Sequence, residues 1–142
     1  MFQKNITPKK LNEISKNTML THLGILFTEI GSNYIVAKMP VNSTTSQPMG
    51  ILHGGASVTL AESIGSIGSH LMIDSSKESA VGIEINANHV GSAYSGNVIG
   101  KGTIIHRGKT THIWNIELKD ENDKLISVSR LTVMILKKSS NK

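Results

Sequence analysis

The 142-residue chain contains no cysteine. That absence excludes disulfides, thiolate nucleophiles and cysteine-based zinc sites, and it fits a reducing compartment. Aromatic residues are scarce as well: two Phe, two Tyr and one Trp, scattered along the sequence. A nucleic-acid surface wants a basic stripe interleaved with stacking rings, so no nucleic-acid partner is expected. No apolar run reaches the roughly 18–20 residues of a membrane span, and the opening MFQKNITPKKLNEISKN lacks the apolar stretch of a secretory signal. The expectation is a cytoplasmic protein with no membrane partner, folded as a single domain over residues 1–142.

Lys and Arg outnumber Asp and Glu by 15 to 10, giving a net charge of +5. Part of that excess sits at the ends, in Lys4, Lys9, Lys10, Lys137, Lys138 and Lys142, where it serves solubility. A mild positive bias beside a cleft also suits a small phosphorylated ligand. Without cysteine, the chemistry falls to Asp, Glu, Ser, Thr, Lys and His.

Residues 7–16 read as a short helix with Pro8 at its first position. Two β-rich runs, 23–31 and 33–41, flank Gly31-Ser32-Asn33 and predict an antiparallel hairpin. After a polar loop, apolar residues Val58, Ala61, Ile64, Ile67 and Leu71 recur at spacings of three and four, predicting one long helix from Gly54 to about Ile73. Four alternating runs follow, at 80–90, 96–108, 111–120 and 124–136. The expected fold class is α+β: a six-stranded antiparallel sheet, one long helix covering its face, and a short N-terminal helix. Gly65 and Gly68 lie inside that helix at a cost of roughly 1 kcal/mol each, which close packing against a curved sheet would explain.

Familiar motifs fail on counting. GTIIHRGKT has five residues between Gly102 and Gly108 where a phosphate loop needs four, and a strand follows it. No G-x-S-x-G surrounds any serine, and the six histidines form no H-E-x-x-H pair, so neither a serine-hydrolase elbow nor a metal site is expected. The stretch QPMGILHGGASVTLAES remains, carrying Gln47, His53, Gly54, Gly55 and Glu62 at or near the helix start. Gly54 and Gly55 either make a plain turn or let a substrate reach N–H groups at a helix N-terminus, where the macrodipole favours developing negative charge. Glu62 either points to solvent or, among mostly uncharged neighbours, is a hydrogen-bonded carboxylate fit to act as base or nucleophile. His89 and His106 end two late strands; the turn after His106 carries Arg107 and Lys109 and reads either as a phosphate cradle or as ordinary surface.

From about Leu23 to Leu136, the order of elements and the blocks QPMGILHGGASVTLAESIGSIGS and GIEINANHVGSA resemble the hotdog-fold acyl-CoA thioesterases of the 4-hydroxybenzoyl-CoA and phenylacetate-type branch. The resemblance implies a helix wrapped by the sheet, a homodimer with active sites at its interface that assembles to a homotetramer, and hydrolysis of an aromatic acyl-CoA substrate. It implies no cofactor, coenzyme A being part of the substrate. By position, Glu62 resembles the essential carboxylate, Gln47 and His53 the groups orienting the thioester, Gly54 the oxyanion donor, and Ser66 the hydroxyl that positions water or the intermediate. Gly82, the run His89, Val90, Gly91 and Ser92, and the run His106, Arg107, Gly108, Lys109, Thr110 and Thr111 fall on the family's coenzyme A contacts. One position departs: a near family member has arginine where this chain has Gly91, which implies a phosphate contact weakened or taken over by Arg107 or Lys109. A hotdog hydratase or dehydratase would want a catalytic His and an acid paired across the helix, which LAES fits less well. A non-catalytic acyl-CoA regulator usually carries a DNA-binding domain, for which this length leaves no room.

Overall fold

The computed structural model describes Phe2 and residues 6–138; Lys4 and Lys142, read above as solubilising, lie outside them. Thr7 caps α1 (Pro8–Ile14), its hydroxyl accepting from the Lys10 N–H at 3.3 Å, and Pro8 sits where its missing donor costs nothing. Asn17, with φ of 59°, breaks the chain. A one-turn helix α2 (Met19–His22) follows, closed by reciprocal Thr18–Thr21 hydrogen bonds; its four residues are too few to carry a helical period. The Asn12 side chain then pairs with both polar groups of the Phe27 backbone, at 2.9 and 2.8 Å, and ties α1 to the sheet.

The remaining elements are β1 (Leu26–Ile30), β2 (Tyr34–Pro40), α3 (Gly54–His70), β3 (Glu78–His89), β4 (Asn97–Arg107), β5 (Thr111–Asp120) and β6 (Leu125–Lys137). The six strands form one antiparallel sheet in the order β1-β2-β4-β5-β6-β3. β3 therefore crosses to the far edge beside β6, while β4 returns to pair with β2. Val81 and Ile83 on that edge strand are about half exposed, at 46% and 53%.

α3 packs across β2 to β6, and its small residues set how closely. A Cβ at Gly68 would run into the Trp114 ring, and one at Gly65 into Leu131 and Trp114. Trp114 thus fills the notch the glycines leave, and its indole N–H donates to Ser69 Oγ at 2.8 Å. Gly100 and Gly102 of β4 make room for Ile64 in the same way. This corrects the expected helix face. The buried side is Ser57, Leu60, Ala61, Ile64, Gly65, Gly68 and Ser69, while Val58 and Ile67 are only half-buried, because Gly65 and Gly68 let Trp114 and Leu131 pack directly against the helix on that side. No helix among the described residues is long and apolar enough to cross a membrane.

Candidate active site

The loop before α3 is held by backbone bonds from Leu52 N–H to the Ala93 carbonyl and from His53 N–H to the Thr45 carbonyl, both 2.8 Å. Gln47 lies in this loop; its Oε1 accepts from the Met49 N–H at 2.6 Å, leaving its Nε2 free to donate. His53 is the N-cap of α3. Its Nδ1 accepts from the Gly55 N–H at 2.8 Å, which places the ring proton on Nε2. The Ala56 and Ser57 N–H groups go to the His53 carbonyl. Gly54 N–H is left with no acceptor among the described residues, a free donor at the positive end of a 17-residue helix. The two glycines are thereby distinguished: Gly55 is used by the cap, Gly54 is available.

His89, at the end of β3, lies over Gly54. A Cβ on Gly54 would come 2.9 Å from His89 Nε2, so any side chain here has to displace the His89 ring. Between them opens a cavity of about 340 Å³ whose walls include Gln47, Leu52, Gly54, Ser57, His89 and Ile126, with Val90, Gly91 and Ser92 alongside. Ser57 and Ile126 were not singled out from the sequence. Ser57 had a usable signal, since it stands three residues after Gly54 on the same helix face; Ile126 had none, because only sheet pairing brings it there. The Gly91 N–H bonds to the Ile126 carbonyl at 3.1 Å, and a Cβ on Gly91 would run into the Leu125 carbonyl oxygen. No side chain fits at this position without a backbone shift, which accounts for glycine there.

Two turns further along α3, Glu62 is half-buried. Ser66 Oγ donates to its Oε1 at 3.0 Å, and the same oxygen lies against the backbone of Gly82 on β3, so close that a Cβ there would collide with it. Gly82 precedes a register irregularity in the β3–β6 pairing. The structure thus brings Gly82 to the carboxylate rather than to the cavity at the helix head. Eight residues of helix, about 12 Å, separate Gly54 from Glu62.

The third group lies past the other end of α3. The His106–Thr111 turn closes with Gly108 N–H to the Thr111 carbonyl at 2.8 Å, Ile135 N–H bonds to the Thr110 carbonyl at 2.9 Å, and Arg107 donates to the Met72 carbonyl at 2.8 Å. Lys109 has no ion-pair or hydrogen-bond partner among the described residues. Beneath it is a second cavity of about 290 Å³, lined in part by Glu78, Arg107, Lys109 and His112. His112 is 2% exposed and its Nδ1 has no hydrogen-bond partner among the described residues. Burial first, then the nearby Arg107 and His106 charges, hold its pKa below the ordinary 6.5, against an opposing pull from Glu78. One chain therefore distributes the residues singled out above over the head, middle and far end of a helix roughly 25 Å long, and does not converge them on one point.

A wrapped helix, a free N–H at its head and a hydrogen-bonded carboxylate on its half-open side define the class. The sequence profile of the thioesterase superfamily matches residues 49–127, and the chain belongs to that superfamily of thioester hydrolases, in its hotdog fold. It is 46% identical over 136 residues to the 1,4-dihydroxy-2-naphthoyl-CoA hydrolase of Escherichia coli, covering 96% of this chain and 99% of that one. It is 38% identical to the proofreading thioesterase EntH of Klebsiella pneumoniae, over 95% of this chain and 98% of that one. Among solved structures, a mutant thioesterase from Pseudomonas aeruginosa superposes with a TM-score of 0.94 at 41% identity, covering 96% of this chain and 99% of that one. A thioesterase from Haemophilus influenzae gives 0.93 at 39% identity, with 99% of each chain covered.

Proposed function

We propose that this chain hydrolyses acyl-CoA thioesters with an aromatic acyl group of the kind carried by 1,4-dihydroxy-2-naphthoyl-CoA, an intermediate of menaquinone biosynthesis. The reaction takes place in the cytoplasm without metal or added cofactor, coenzyme A being part of the substrate. The observation that carries this reading is the free Gly54 N–H inside the cavity lined by Gln47 and His89. A thioester carbonyl placed there meets a preorganised donor at the head of a helix dipole, which stabilises the oxyanion more than the ground state. Gln47 Nε2 and His53 orient the thioester.

Glu62 supplies the attack. As a base it takes a proton from water, the hydroxide adds to the carbonyl carbon, the C–S bond breaks and coenzyme A leaves as a thiolate. As a nucleophile its oxygen adds to the same carbon, expels the same thiolate and leaves an anhydride that water then opens. Ser66 holds the carboxylate oriented in either case. A single turnover in isotopically labelled water separates the two, since only the anhydride route places label in Glu62.

A carboxylate about 12 Å along the helix does not reach a carbonyl held at its own Gly54. The reading therefore requires a homodimer in which each site joins Gly54 of one copy to Glu62 of the other. The exposed β3 edge, next to the half-open helix side, offers the surface for such pairing, and two dimers join as a tetramer. The coenzyme A arm is assigned to the run His89–Ser92 and to the turn His106–Thr111, with Lys109 available to a phosphate.

Release of free thiol from benzoyl-CoA, followed with a thiol reagent, tests the activity. Release is expected, and none across aromatic and aliphatic acyl-CoAs overturns it. Mixing two inactive variants, Glu62→Ala and Gly54→Pro, tests the shared site. Random pairing restores roughly a quarter of wild-type activity if sites are shared and none if each chain is self-sufficient.

A further inference from the structure

Between β2 and α3 the backbone folds into a miniature hairpin. Gln47 N–H bonds to the Ile51 carbonyl at 2.9 Å, His53 N–H to the Thr45 carbonyl at 2.8 Å, and Ser46 bridges Leu52 between them. One arm carries Gln47, and the other runs directly into the His53 cap and the free Gly54 N–H. Thr45 is the one buried residue from Asn42 to Gly50, at 1% exposed in an otherwise polar, open loop. Its hydroxyl donates to the carbonyl of Pro40, the last residue of β2, at 2.7 Å and accepts the Asn42 N–H at 3.0 Å. Among the described residues it is the only side chain of the hairpin bonded to the sheet: Asn42 Oδ1 accepts only from Thr44, and Gln47 Oε1 only from Met49.

We propose that Thr45 is a positioning residue for thioester hydrolysis, its hydroxyl pinning the hairpin to the end of β2 so that its carbonyl, through His53 N–H, fixes where the Gly54 N–H points. The inference rests on the thioesterase reading above. Thr45 itself does not line the cavity at the helix head and touches no substrate. It acts through a short chain of bonds, from Pro40 to the Thr45 hydroxyl, from the Thr45 carbonyl to His53, and from the His53 cap to the first helical residue. An oxyanion donor works only within a few tenths of an ångström of its best distance, and a displacement of about 1 Å from a substitution remote from the chemistry costs up to about a hundredfold in rate. A hydroxyl that donates and accepts at once leaves the hairpin one seat on the sheet; without it the arm is held by backbone contacts alone.

The test measures kcat and KM for benzoyl-CoA, beside thermal melts, in wild-type enzyme, Thr45→Val and Thr45→Ser. Valine keeps the shape and removes both hydrogen bonds, and kcat is expected to fall at least about tenfold with KM within about threefold of wild type. Serine restores the hydroxyl, and kcat is expected to return to within about threefold. In a Gly54→Pro background the valine substitution is expected to cost much less than in wild type, because the donor it positions is already gone. Ser69→Ala, which removes a buried hydrogen bond to the Trp114 indole, is expected to lower the melting temperature with kcat within about twofold, and controls for general loosening. If Thr45→Val does not fold, Thr45→Cys, with its weaker donor, replaces it, and a kcat at least about threefold below that of Thr45→Ser is expected. A lowered melting temperature with unchanged kcat, a serine variant as impaired as the valine or cysteine variant, or an equal loss in the Gly54→Pro background overturns the proposal. If the wild-type enzyme releases no thiol from any acyl-CoA, the proposed function fails and this inference with it; if it turns over with a kcat that Thr45 does not control, only this inference fails.

Discussion

The carboxylate of Glu62 rests against the backbone of Gly82, one oxygen filling the space a side chain on Gly82 would occupy while Ser66 holds it from the neighbouring turn at 3.0 Å. The consequence is that β3, and not α3 alone, sets where the carboxylate points. Gly82→Ala is expected to push the carboxylate off its position and lower kcat by about a hundredfold, the scale of a small misplacement of a reacting group, with a smaller change in KM. Steady-state kinetics beside a circular-dichroism melt checks this; unchanged kcat would mean that the observed carboxylate position is not the working one.

Gly54→Pro removes a single donor with little change to the helix. Proline is well tolerated at the first helical position, and the preceding His53, at φ −71° and ψ 132°, already has the extended conformation that a following proline demands. The added ring atoms displace the His89 side chain. Loss of the oxyanion donor is expected to lower kcat by roughly 10²–10³ with the melting temperature little altered, and retention of activity would remove Gly54 N–H from the mechanism.

Lys109 is the cleaner test of the nucleotide end, because Arg107 also anchors the segment after α3 through the Met72 carbonyl. Lys109→Ala is expected to raise KM for acyl-CoA by about two- to fivefold with kcat near the parent value, an effect that fades as salt is added. An acyl-pantetheine substrate, which lacks the nucleotide, should not register the substitution. Equal insensitivity with full acyl-CoA would make Lys109 ordinary surface.

His112 gives the fold a predictable response to acid. Its folded pKa is held down by burial and by Arg107 and His106, so below pH 6.5 the unfolded chain binds a proton that the folded chain does not. Unfolding then takes up protons, and stability falls as pH drops below about 6.5 and recovers as pH rises through that value. Urea midpoints measured from pH 5 to 8 should show this slope in the wild type and a shallower one in His112→Gln. Identical slopes would assign the acid sensitivity to other groups.

Much of the architecture was legible in the sequence because it depends on local periodicity. The hairpin at Gly31-Ser32-Asn33, the start of α3 at Gly54 and the span of β5 follow from alternation, spacing and turn residues, which act within a few positions. Of the expected face of α3, Ala61, Ile64 and Leu71 are buried, whereas Val58 and Ile67 are only half-buried. The buried side is turned toward Gly65, Gly68 and Ser69, where Trp114 has space to enter beside Ile64. Strand order was not legible either: an alternating run specifies a buried face but not a neighbour, so that β3 ends beside β6 is decided by long-range pairing. For the site, residue types and the block around the helix start indicated Gln47, His53, Gly54 and Glu62. Only the tertiary structure distinguishes Gly54 from Gly55, through the cap that consumes one N–H and leaves the other. Only it sets Glu62 against Gly82, brings Ile126 and Ser57 to one cavity, and separates donor from carboxylate by two helical turns. Those relations depend on distances between elements far apart in sequence, fixed by packing, and no local pattern encodes them.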